Sequence, residues 1–330
     1  MSVDDLKSAT EQVESDNRYM IRRGSDVYPR ALEQINNPPD QLYVVGSPRL
    51  LEKPALAIVG ARKATPYGKG CSARFARMAV QHDIAVVSGG AIGCDQSAHR
   101  GALDGGGVTI VVLGCGADVT YPTRAKALFA EVVANGGCLV SELPWGSPPK
   151  RWAFVKRNRL IAALSQAVLI VEAGLPSGTF STADSALQQG KEVWVVPGSI
   201  DSRQSRGSNQ LLSQGAVPII DDQCFCDTLV STFGVSSRIK QTAARQNGDS
   251  RSTQTKILAC DNGRVEIITA LEATPSRPEA LIGIQGWTVT EVIQQLSSLE
   301  IIGLVERLSD GRYAIRATSQ TTNRYYGNRH

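Results

Sequence analysis

Between Glu142 and Glu172 the chain carries no carboxylate, and within that interval Lys150, Arg151, Lys156, Arg157 and Arg159 crowd around Trp145, Trp152 and Phe154. Cations alone suit any phosphate. Rings set among them add flat faces on which unpaired bases stack, worth about 1–3 kcal/mol per base. The same spacing also describes an amphipathic connection whose rings pack inward while its charged heads stay in water. Glycine-rich clusters elsewhere in the chain favour the polyanion.

Those clusters are Gly60-Ala61-Arg62, Ser88-Gly89-Gly90-Ala91-Ile92-Gly93, Gly114-Cys115-Gly116, Gly174 to Thr179 and Pro197-Gly198-Ser199. Each can close a tight turn, and glycine also lets backbone approach a ligand closely. In the first, Arg62 offers a planar guanidinium to a phosphate, or is an ordinary surface charge. In the fourth, the turn leads into a helix whose free N–H groups favour an anion. Ser177 and Thr179, either side of Gly178, supply hydroxyls there, and simple N-capping by one of them fits the same residues. The GxGxxG spacing of a dinucleotide site and the GxxxxGK[ST] of a P-loop are both missing. Neither NAD binding nor P-loop ATP hydrolysis is expected, and no cofactor is. Asp95 and His99 lie four apart on one helix face, without an evident nucleophile or metal to serve. Asp95 is expected to fix the glycine-rich turn, His99 to be a satisfied helix residue, and Glu142 and Glu172 to order nearby side chains.

Short β-rich runs must position these clusters: 55–60 (ALAIVG), 84–88 (IAVVS), 108–114 (VTIVVLG), 138–141 (CLVS), 167–173 (AVLIVEA) and 192–198 (EVWVVPG). Helix-length segments separate them, around 68–81, 95–103, 124–134, 159–164 and 179–189. Strands apolar on both faces that alternate with helices specify a parallel sheet covered on both sides, a doubly wound Rossmann-like α/β domain. Each cluster follows a strand, and in such a sheet those strand ends line the ligand crevice. The basic aromatic stretch enters from that side.

Around this domain, assigned to 51–220, residues 1–50 are read as a helical N-terminal extension with no visible chemistry. The polar run 221–253 is read as a linker. Residues 254–316 form a small domain: helices around 255–260, 264–272, 278–281 and 290–299, then a hairpin turning at Asp310-Gly311. Helices followed by a hairpin suggest a winged-helix-like fold. The tail 317–330 is expected to be disordered. At 330 residues, 42% hydrophobic and net charge +4, the chain has no overall supercharge, so a basic surface must come from local clustering. Seven cysteines without a CxxC pair and three histidines argue against zinc; Cys71, Cys94 and Cys138 are expected in the core. The N-terminus does not read as a signal peptide and no apolar run spans a membrane, so a cytoplasmic protein is expected.

The runs GARKATPYG from Gly60, SGGAIGCDQSAHRGAL from Ser88, VVLGCGADVTYP from Val111, SELPWG from Ser141, FVKRNRLIAALS from Phe154, VEAGLPSGTFSTADSALQQGKEVWVVPG from Val171 and GSNQLLSQGA from Gly207 resemble the DNA-processing protein A family, also called Smf. They cover about 55–220 in the family's order, and the C-terminal LSSLEIIGLVERLSDGRYAIR resembles the winged-helix-like domain of many members. The resemblance implies a non-catalytic protein that binds single-stranded DNA, protects incoming DNA in natural transformation, and helps load a RecA-type recombinase against single-strand-binding protein. It also implies a homodimer. By the family's pattern Arg62, Arg151, Phe154 and Ser177-Gly178-Thr179 lie in the DNA pocket, braced by Asn158 and Arg159. Gly90, Lys150, Trp152, Lys156 and Arg157 complete the candidate set.

Ile92 stands where the family usually has Arg, which implies one pocket cation fewer; Cys94, Val155 and Ser208 replace its usual Ile, Pro and Cys. The crevice also resembles the cytokinin-activating phosphoribohydrolases. Their PGGxGTxxE motif places a catalytic glutamate where this chain has Thr182. In a third reading the winged-helix-like domain is the main DNA binder, but the helix 290–299 holds Glu291 and no Lys or Arg, which suits a protein contact better than a phosphate groove.

Overall fold

The computed structural model describes residues 17–234, 262–282, 287–301 and 304–316. Two units divide the chain, 1–239 and 240–330, and each is described by itself.

The first unit is built on a nine-stranded sheet of order β1-β2-β6-β5-β4-β3-β7-β8-β9. Its strands are β1 (Arg18–Arg22), β2 (Gln41–Gly46), β3 (Ala55–Val59), β4 (Ala85–Ser88), β5 (Thr109–Val112), β6 (Cys138–Ser141), β7 (Ala167–Ile170), β8 (Glu192–Val195) and β9 (Val217–Pro218). From β6 through β9 every neighbouring pair is parallel. The apolar runs read as strands are strands, and every residue of β3 to β7 is buried, as a sheet covered on both faces requires. Strand order runs outward from β3 to β6 on one side and from β7 to β9 on the other. The direction therefore reverses between β3 and β7, where a doubly wound sheet opens its crevice.

Helices on the two faces are α1 (Arg30–Glu33), α2 (Pro66–Gln81), α3 (Cys94–Asp104), α4 (Lys126–Ala134), α5 (Arg151–Ala163), α6 (Thr179–Gln188), α7 (Arg206–Ser213) and α8 (Asp222–Phe233). One face buries Leu160 and Ile161 of α5 against Ile110, Val112, Val168 and Ile170. The other buries Phe75 and Ala79 of α2 with Trp194.

Three boundaries differ from expectation. The N-terminal extension is not mainly helical: among the described residues from 17 onward, β1 and β2 join the sheet antiparallel, β2 pairing with β6 through Tyr43 and Ser141. Ile21, Leu42 and Val44 are fully buried there, and β2 buries Leu42, Tyr43 and Val44 in succession, so no period of two marks it. The supposed linker starts with α8, which inserts Phe225 and Leu229 into the core; Phe225 lies 4.6 Å from Phe75. Polar residues dominate its outer face, which hid it. The helix read as 159–164 begins at Arg151, so the basic aromatic stretch is itself largely helix. Ala153, Arg157, Leu160 and Ile161 form its buried stripe, a helical i, i+4, i+7, i+8 pattern disguised by an arginine in an apolar position.

The second unit comprises α9 (Asn262–Ala273), a 3₁₀ turn Pro278–Leu281, α10 (Val289–Ile301) and a hairpin of β10 (Val305–Arg307) and β11 (Tyr313–Ile315). Ile267, Leu271, Val292, Leu296, Leu299, Val305 and Tyr313 make its core, and Gly311 takes φ +85° in the hairpin turn. The helix expected at 255–260 and the tail 317–330 lie outside the described residues. Among the described residues, no helix is long and apolar enough to cross a membrane.

Candidate nucleic-acid interface

The crevice floor is held by a buried arginine, Arg157, which belongs to the candidate set of DNA-contacting cations. Arg157 is 5% exposed and its Nη1 donates to the carbonyls of Gly89, at 2.9 Å, and Val112. This differs from a DNA contact: α5 turns the residue inward, under the crevice. Asp95 lies beside it, its Oδ2 accepting from Ala91 N at 3.3 Å, so the expected fixing of the glycine turn is present. Burial raises the Asp95 carboxyl against the opposing pull of Arg157, and burial lowers Arg157 to about 10. A Cβ on Gly89 would sit 2.6 Å from the Arg157 guanidinium. Gly90 needs its φ of +69°, and a Cβ there would meet Phe129 at 2.7 Å. Gly90 is therefore explained by turn and packing; no ligand is needed to account for it.

His99 is satisfied at one nitrogen only. Thr109 Oγ1 donates to Val86 O at 2.8 Å, so its remaining capacity accepts from His99 Nδ1 at 2.7 Å. The proton sits on Nδ1, and Nε2 is a buried acceptor without a partner. Burial, then the Arg157 charge, holds the imidazole down at about 3.

Above this floor the rim is assembled from the turns after β3, β5 and β7 and the start of α5. Arg62 is exposed, its Cζ 5.6 Å from the Phe154 ring centroid, close enough for a cation–π contact. Phe154 is half-buried against Gly114, where a Cβ would lie 2.7 Å from Phe154 Cδ1. Lys150 and Arg151 are exposed at the N-terminus of α5, and among the described residues no carboxylate pairs with them or with Arg62. Trp152 is 54% exposed.

The remaining cations of the stretch are engaged. Glu142 Oε2 accepts from Lys156 Nζ at 3.0 Å and from Arg159 Nη2 at 2.5 Å. Asn158 Nδ2 donates to Ser181 Oγ at 2.6 Å, tying α5 to α6. In the turn before α6, Ser177 Oγ accepts from Thr179 N at 3.2 Å and donates to Thr179 Oγ1 at 2.9 Å. This is a local turn bond and not the expected cap: the N-cap of α6 is Gly178, without a side-chain cap, and the bond leaves Gly178 exposed and occupies the Ser177 hydroxyl. Glu172 accepts from Thr65 N at 2.9 Å and Thr65 Oγ1 at 2.6 Å, so both glutamates order neighbours as expected. Trp145 packs edge-on against Tyr43 at 5.1 Å beneath Arg18, a structural ring belonging to the N-terminal strands.

One rim residue was not among the candidate site residues, although it falls in the run VVLGCGADVTYP. Tyr121, in the loop after β5, is 40% exposed with its ring 5.4 Å from Phe154. An aromatic following a strand-end glycine cluster was the available signal.

Comparison with known proteins places this arrangement. Residues 19–229 match the family described as DNA recombination-mediator protein A, and 252–311 match the DprA winged helix domain. Protein Smf of Escherichia coli is 32% identical over 311 residues, covering 94% of this chain and 81% of its own. The putative DNA processing protein DprA of Mycobacterium tuberculosis is 38% identical over 280 residues, 83% of this chain and 68% of its own. Among solved structures, DNA processing protein A from Helicobacter pylori aligns at TM-score 0.60 with 35% identity, over 66% of this chain and 97% of that one. The Streptococcus pneumoniae protein aligns at 0.58 with 32% identity, over 68% and 77%. This chain belongs to the DNA recombination-mediator protein A family.

Proposed function

We propose that the crevice at the β3/β7 switch point grips single-stranded DNA by its backbone and bases, for protection and for handover to a RecA-type recombinase. The observation that carries this is the pairing of exposed Arg62 with the Phe154 ring beside Lys150 and Arg151, which have no carboxylate partner among the described residues. Cations without a local partner are free to neutralise phosphate, and exposed rings at the same rim receive bases. The Helicobacter pylori relative is described in terms of a single-stranded DNA binding mode, which supports carrying that ligand over. The family's description as a recombination mediator supports the recombinase as partner; displacement of single-strand-binding protein and a homodimer complete the reading.

Hydrolysis of a nucleotide in the manner of the phosphoribohydrolases finds less support. Their catalytic glutamate corresponds to Thr182, which is 2% exposed, and Glu172 is turned to Thr65. The test is titration of fluorescent oligo-dT at several salt concentrations with the Arg62→Ala/Arg151→Ala variant. Affinity should drop, and the slope of log K against log salt should flatten by about 0.7 for each phosphate that the variant no longer neutralises. Unchanged slope and affinity would remove these residues from the site, and release of a free base or ribose phosphate from a nucleotide would replace the binding reading by a hydrolytic one.

A further inference from the structure

The Phe154 ring is not an open platform. It is half-buried, packed on the backbone at Gly114, with the Arg62 guanidinium over it at 5.6 Å and the Tyr121 ring against it at 5.4 Å and 40°. Both neighbours lie close against the ring and narrow the approach of a base to Phe154. Of the two rings in contact here, Tyr121 is the more open, at 40% exposed. Tyr121 is carried by a loop that the rest of the unit holds in place. Cys115, just ahead of it, donates to Val119 O at 3.3 Å, and Asp118 accepts from Gly146 N at 2.8 Å. An exposed ring carried on a tied loop and packed on a neighbouring ring is pre-organised for stacking, since little freedom is lost when a base arrives.

We propose that Tyr121 is a base-stacking residue of this interface and that Phe154 is a positioning residue, which supports Tyr121 on one hand and Arg62 on the other. The proposal rests on the reading of the crevice as a single-strand site. It assigns the two recognition chemistries to different atoms: the base meets the Tyr121 ring, the phosphate meets Arg62, and Phe154 sets the distance between them. The ligand is an unpaired nucleobase of any identity, because every base has a face that can stack.

The test uses the full chain with Tyr121→Leu, Tyr121→Phe and Phe154→Ala, titrated with oligo-dT and with a base-free phosphodiester oligomer of the same length. Removing the ring should weaken oligo-dT binding about 5- to 150-fold, the range of a single base stack, with the salt slope unchanged and the base-free oligomer bound as by the wild type. Tyr121→Phe should restore oligo-dT binding, since the ring is what is asked for. Phe154→Ala should weaken binding to both oligomers and flatten the salt slope, because Arg62 loses its support. An oligomer carrying 2-aminopurine gives an independent signal: its fluorescence should be quenched on binding to wild type and Tyr121→Phe, and much less on binding to Tyr121→Leu. Oligo-dT affinity and quenching unchanged in Tyr121→Leu, while Arg62→Ala/Arg151→Ala is weakened, would overturn the role of Tyr121 and leave the crevice standing. Failure of the wild-type chain to bind oligo-dT would overturn the crevice and Tyr121 with it.

Discussion

Five cations that look equivalent in the sequence divide by environment into separate roles. Lys150 and Arg151 are exposed, Lys156 and Arg159 share Glu142, and Arg157 is buried on carbonyls. Charge count alone therefore overstates the contact surface. The same scale governs the buried imidazole. Because its folded pKa is lowered to about 3 from 6.5, the unfolded chain takes up a proton that the folded His99 refuses as pH falls through that window. His99 thus contributes stability that is fully present above about 6.5 and declines toward 3, by at most about 1.4 kcal/mol per pH unit. Asp95, whose burial raises its carboxyl, acts in the opposite direction above its unfolded value. Urea denaturation from pH 4 to 7, wild type against His99→Asn, isolates the imidazole: the variant should show a flatter acid limb, and identical limbs would contradict the assignment.

At the scale of elements, Arg157 fastens α5 to the ends of β4 and β5 beneath the rim through the carbonyls of Gly89 and Val112, while Asp95 at the start of α3 holds the turn at Ala91. Arg157→Met should therefore cost about 3–6 kcal/mol, because it removes charged hydrogen bonds, worth about 1.5–3 kcal/mol each, from two buried carbonyls. Chemical denaturation of the purified variant measures this, and a loss below about 1 kcal/mol would show that Arg157 does not hold these elements together. Gly90→Ala tests the turn above it. A positive φ and the Phe129 contact together predict a cost of about 2–4 kcal/mol, read by the same measurement. The helical stripe Ala153, Arg157, Leu160 and Ile161 was present in the sequence, yet it reads as helix only once Arg157 is allowed inside. An arginine enters a core only when fixed acceptors await it, and those acceptors, at residues 89 and 112, are remote in the chain.

At the scale of the molecule, the two units own separate cores. The exposed cations and rings described above all belong to the first. Glu291 and Glu300 lie on α10 and no Lys or Arg does, a helix whose charge opposes a phosphate groove. Residues 1–239 alone should consequently keep the oligo-dT affinity and salt slope of the full chain, while 240–330 alone should not bind. Fluorescence titration of both fragments decides it, and loss of binding by the first would move part of the interface into the second unit.

Local pattern was enough to determine the parallel sheet, the crevice at its strand ends and the glycine turns there, because apolar runs such as 167–170 and turn residues such as Gly174 act over a few neighbouring positions. Family likeness in the motifs carried identity further than periodicity could. Tertiary structure alone decided which side chains face the crevice. Burial of Arg157, capture of Arg159 by Glu142, and the meeting of Arg62, Phe154 and Tyr121 each depend on residues far apart in the chain. Whether a cation or a ring is free to meet a ligand is settled by the partners that folding brings to it, and those partners are not its neighbours in sequence.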